Sequence, residues 1–113
     1  MQKAECVERA LGLLGLATRA GRVTVGVPLI CAALQKSKPG KGVSLVLMAA
    51  EASAATQKKI GDKCAFYGVR LIPLSTDCGR LALAVGKRDG LVAAVGVSDP
   101  GLADAIAAAL KED

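Results

Sequence analysis

The heptapeptide VSLVLMA, residues 43–49, decides the fold. It has the length of a strand, and it is apolar at nearly every position, odd and even alike. A strand of that kind is central and covered on both faces, and a sheet with helices on either side provides the cover. Working toward the C-terminus, Ser53 is placed to N-cap a helix. That helix carries Thr56, Ile60, Cys64 and Tyr67 down one side and Lys58, Lys59, Asp62 and Lys63 on the other, and Gly68 closes it. Residues 69–72 form the next strand, stopped by Pro73. Asp77 caps a short helix through Val85 that ends at Gly86, and residues 87–90 make a turn with an Asp-Gly signal. Residues 91–97 are a further apolar strand. Asp99 and Pro100 then supply an N-cap and a first-turn proline to a last helix over residues 101–110.

Toward the N-terminus, SKPGKG (residues 37–42) is a solvated loop, and Pro28 opens a helix that runs to about Gln35. Residues 22–25 are a short β-branched strand between Gly21 and Gly26. Residues 5–18 form a helix in which Val7, Leu11 and Leu14 recur at i, i+4 and i+7. The order α-β-α-β-α-β-α-β-α predicts one domain over residues 1–113. Its class is α/β: a three-layer α/β/α sandwich with a four-stranded mixed sheet and about five helices.

Composition narrows the function. Hydrophobic residues make up 52% of the 113 and charged residues 22%, which excludes disorder as the overall description. The net charge is +5, from 15 basic and 10 acidic side chains. A basic, aromatic-poor chain suits a phosphate-bearing partner met through charge and backbone amides. There is no histidine, which rules out a Ser-His-Asp triad, a Cys-His dyad and an HExxH metal site. Phe66 and Tyr67 are the only aromatic rings, too few for a platform that stacks single-stranded bases.

Cys6, Cys31, Cys64 and Cys78 contain no CxxC pair and stand among small or apolar neighbours. They read as reduced, buried thiols of a cytoplasmic protein. No apolar run reaches membrane-spanning length, so no membrane partner is expected. The pairs Asp77/Asp89 and Glu51/Asp62 share no face of one element, which leaves no catalytic carboxylate pair. A nucleophilic Cys31 or Cys78 near a helix start is the residual enzymatic reading, and the expectation is a protein that is not an enzyme and needs no cofactor.

One stretch points to binding: RAGRVTVG, residues 19–26, places two arginines and two glycines before a helix start. Helix N-terminal amides with adjacent arginine make a phosphate site. Lys36, Lys38 and Lys41 add charge around the solvated loop. That loop precedes a strand, so it is no nucleotide P-loop.

The strings LGLLGLATRAGRVTVG (residues 11–26), AAEAS (49–53), TQKKIGDKC (56–64), LALAVGK (81–87) and VAAVGV (92–97) form a series. Together, over about residues 8 to 110, the chain resembles the small bacterial YlxQ-like proteins of the ribosomal protein L-seven-Ae and L-thirty-e superfamily. The resemblance implies an α/β/α sandwich, kink-turn RNA binding, association with ribosomal RNA or ribosome components, and no catalysis. RNA-binding members open the second helix with Gly-x-Asn-Glu-x-Thr-Lys. Gly26 matches the glycine, while Pro28, Leu29, Cys31 and Ala32 replace the polar readers. Glu51 matches the acidic residue after the second strand. The loop over residues 74–78, with Ser75 and Thr76, stands where the family holds a flipped-out base. With the charge of the basic stretches added to these matches, the expected RNA contacts are Arg19, Arg22, Gly26, Pro28, Lys36, Lys38, Lys41, Glu51, Ser75 and Thr76. The alternative is a protein-interaction module on the same scaffold, meeting its partner through the apolar residues 28–31; exposure of Leu29 would favour it.

Overall fold

A computed structural model describes residues 4–36, 42–87 and 90–111. The apolar heptapeptide supplies the central strand β2, Leu45–Ala49, buried along its whole length. Around it lie α1 (Ala4–Arg19), β1 (Val23–Val25), α2 (Val27–Lys36), α3 (Ala54–Tyr67), β3 (Arg70–Leu74), α4 (Cys78–Ala84), β4 (Ala94–Val97) and α5 (Pro100–Lys111). The sheet order is β1-β4-β2-β3. β2 and β3 are parallel, while β4 runs antiparallel to both β1 and β2, so the sheet is mixed as expected.

The two-residue period of a strand divides the core. Leu45, Leu47, Val95 and Val97 face α1, α4 and α5, packing with Leu14, Leu74, Leu81 and Ile106. Val46, Met48 and Ala94 face α2 and α3, packing with Ile30, Leu34, Ile60 and Cys64. This is the three-layer sandwich. Cys6, Cys31 and Cys64 are buried thiols outside any disulfide, and Cys78 is partly buried. Burial, reinforced by Cys31, pushes the Cys64 thiol up and keeps it neutral. No helix among the described residues is long and apolar enough to cross a membrane.

The caps stand where the sequence places them. Ser53 Oγ accepts the Thr56 N–H at 3.1 Å. Asp77 Oδ1 accepts that of Arg80 at 2.7 Å, and Asp99 Oδ1 those of Gly101 and Leu102 at 2.9 and 3.2 Å. Gly68 ends α3 at φ 69°, a left-handed conformation that favours glycine. Ser53→Ala leaves the amide at the start of α3 to water, and the expected loss is about 1 kcal/mol of unfolding free energy in a urea titration.

Three strand limits differ from expectation. β3 continues through Pro73 to Leu74, because β3 is an outer strand and an outer strand tolerates a residue without an N–H. β2 starts at Leu45; Val43 is buried ahead of it against the α2/α3 core. β4 starts at Ala94. Before it, Val92 gives its N–H to Cys78 O at 3.1 Å, outside the sheet, and Leu91 is 82% exposed.

Candidate nucleic-acid interface

β1, β2 and β3 run the same way, so their C-terminal ends share one edge of the sheet with the start of β4. Four segments emerge there: Gly26 before α2, residues 50–53, residues 75–77, and residues 90–93. Backbone and side-chain bonds tie them together. Gly26 donates to Ala94 O at 3.2 Å, Ala49 to Ala93 O at 2.8 Å, and Ala50 to Thr76 O at 2.9 Å. Glu51 Oε1 accepts the Cys78 N–H at 2.9 Å, joining the loop after β2 to the start of α4.

Gly26 sits at φ 98°, and a β-carbon there would meet nothing within 4 Å. The first of these facts makes glycine the residue of choice, and the second leaves the backbone open to close approach. The chain then turns into α2, where Ile30 N–H bonds Gly26 O at 3.0 Å. Gly26, Val27, Pro28 and Leu29 include no side chain able to cap the first turn, so the amides of Val27 and Leu29 face outward. Pro28 is exposed and Leu29 is 62% exposed, while Ile30 is fully buried. Leu91, on the same edge, is the most exposed large hydrophobic residue among those described.

Beside the loop after β2 lies an open cleft of about 570 Å³, lined in part by Glu8, Glu51, Ser75, Thr76, Asp77 and Arg80. Arg80 pairs with Glu8, so the remaining carboxylates, Glu51 and Asp77, set an acidic character. Burial pushes the Cys78 thiol up, with Glu51 and Asp77 adding to the shift. A thiol held neutral in this way is a poor nucleophile, which speaks against the enzymatic reading of Cys78. Cys31 is buried.

The structure thus brings Gly26, Pro28, Glu51, Ser75 and Thr76 to one edge. Arg19 and Arg22 are elsewhere: they precede β1, and Arg22 O accepts the Ser98 N–H at 2.8 Å beyond the far end of β4. The expectation that both arginines flank the start of α2 is corrected, since β1 separates Arg22 from Gly26 by about 13 Å of extended chain. α2 returns along the sheet to end at Lys36 on that same far side. Lys38, Lys41 and the side chain of Lys36 lie outside the described residues. Sequence reasoning did not single out Leu91, because an apolar residue after an Asp-Gly turn has the same signature whether it enters the strand or stops short of it.

No protein-family model matches the chain. It is 35% identical over 92 residues to the RNA-binding protein YlxQ of Bacillus subtilis (strain 168), covering 81% of this chain and 85% of that protein. It is 32% identical over 80 residues to the RNA-binding protein YlxQ of Enterococcus faecium, covering 71% of this chain and 73% of that one. Among solved structures, a protein of unknown function from Bacillus halodurans C superposes with a TM-score of 0.80 at 33% identity, over 92% of this chain and 98% of that one. The 15.5kD RNA binding protein of Giardia lamblia superposes with a TM-score of 0.73 over 96% of this chain and 87% of that one. At 18% identity the latter is a likeness of fold.

Proposed function

This chain belongs to the YlxQ family, and from that premise we propose that it is a non-enzymatic RNA-binding protein that docks structured RNA on the C-terminal edge of its sheet. The observation that carries the reading is Gly26: an open, left-handed glycine placed against the uncapped first turn of α2. A phosphate oxygen can approach that backbone and accept from the Val27 and Leu29 amides. Glu51 lines the adjoining cleft as an acceptor for base N–H groups, with Ser75 and Thr76 beside it. Pro28, Leu29 and Leu91 offer exposed apolar surface to a base or sugar turned out of a helix.

Recognition then rests on shape and backbone, because the polar readers of the wider superfamily are absent from α2. Arg19, Arg22, Lys36, Lys38 and Lys41 act as phosphate contacts for the arms of a longer RNA, fixing orientation without reading sequence. The RNA on this reading is ribosomal or kink-turn in form, met in the cytoplasm on or near the ribosome.

The test is a titration against a kink-turn RNA and an unkinked duplex of equal length at two salt concentrations. The kink-turn is expected to bind more tightly, with affinity falling steeply as salt rises. Arg19→Ala with Arg22→Ala should reduce the salt slope by about one to two. Equal affinity for the two RNAs refutes docking by shape. A second reading has one observation in its favour, the exposure of Leu29: the same edge serves a protein partner. Failure to bind either RNA at low salt selects that alternative.

A further inference from the structure

We infer that the C-terminal half of α3 is a second RNA contact, which stacks a single-stranded base on Phe66 and holds the flanking phosphates with Lys59 and Lys63. The inference rests on the RNA-binding reading above and adds a site that the reading does not use. The chain has two aromatic rings, and both are here. Their centroids are 4.9 Å apart with the planes at 81°, Tyr67 half-buried and Phe66 81% exposed. Lys59, Asp62, Lys63 and Phe66 recur at i, i+3, i+4 and i+7, which puts them on one stripe of the helix. With Tyr67 they line an open groove of about 470 Å³.

Nothing in the fold calls for a phenylalanine at this position. The inner face of α3 is Ile60 and Cys64, both buried in the sheet-facing core. The end of the helix is closed by Gly68, whose N–H goes to Ala65 O and Cys64 O. Among the described residues no ion pair engages Lys59 or Lys63.

Two cations with no ion-pair partner among the described residues, beside an open ring and with Asp62 the one acidic member of the stripe, complement a ligand that is both anionic and flat. A nucleotide of a single strand has both properties. A duplex hides its base faces, so the occupant is unpaired RNA. One ring is far short of a stacking platform, so this contact supplements the first. α3 starts next to the sheet edge, through Ser53, and extends about 21 Å from it, a span that one RNA molecule can bridge.

The experiment compares a blunt kink-turn RNA with the same RNA carrying a single-stranded uridine tail, by fluorescence anisotropy on the full chain. The wild type is expected to bind the tailed RNA more tightly. Phe66→Ala should weaken the tailed complex by about five- to a hundredfold and leave the blunt one unchanged, while Phe66→Trp retains the gain. Lys59→Ala with Lys63→Ala should lower the salt slope for the tailed RNA by about one. If the tail adds nothing to wild-type binding, or if Phe66→Ala keeps the whole gain, the site is refuted. A wild-type dimer that Phe66→Ala dissolves in sedimentation also refutes it, since the ring then belongs to a contact between copies. Loss of blunt-RNA binding by the wild type would instead overturn the first reading. A free uridine oligonucleotide, bound by the wild type and released by Phe66→Ala, then still supports the second site.

Discussion

Leu47→Ala is expected to lower the unfolding free energy by about 2–5 kcal/mol, measured by urea denaturation with the slope unchanged. Leu47 is wholly buried in the central strand, between Ile72 on β3 and Val95 on β4. Its side chain joins the core under α1, α4 and α5. Truncation removes its transfer free energy and leaves a cavity that strands fixed on both sides cannot close. A domain of this size holds roughly 5–15 kcal/mol in total, so the variant would stand close to unfolding. A loss under about 1 kcal/mol would mean that α1, α4 and α5 settle into the space that truncation leaves.

Gly96→Val is expected to cost about 1–3 kcal/mol and to weaken RNA binding as well. A β-carbon at Gly96 would lie 3.2 and 3.4 Å from the two methyl carbons of Val43 and 3.8 Å from Ile30 Cγ1. β4 is hydrogen-bonded on both sides and cannot yield. The strain therefore passes to Val43 and to α2 through Ile30, and α2 carries the first turn that stands beside Gly26. Adding Val43→Ala should restore part of both properties. Unchanged RNA affinity in a destabilised Gly96→Val protein would detach the seating of α2 from binding.

The layered fold was legible because its signals are local. VSLVLMA needs two covered faces wherever it sits, and Ser53, Asp77 and Asp99 cap by bonds to amides two or three residues away. What could not be read depends on distant parts of the chain. Whether Pro73 ends a strand depends on whether that strand is an outer one, which is settled by β4 pairing elsewhere. Leu29 and Ile30 are equally apolar, and only the seating of α2 on the sheet sends one to solvent and the other to the core. Arg22 and Gly26 are close in sequence, yet an intervening extended strand takes them to opposite edges. The glycine at the candidate interface was readable from its turn, whereas the grouping of Glu51 with Thr76 and Cys78 arises from strand pairing alone.

The place of β4 between β1 and β2 also governs the order of assembly. β1 pairs with no strand except β4, so Val23 must wait for Val97 before it can join the sheet. The parallel β2–α3–β3 unit, by contrast, is built from contiguous chain. Gly26 acquires its bond to Ala94 only when β4 is in place beside β1. The edge proposed to dock RNA is therefore complete only after β4 has taken its place between β1 and β2.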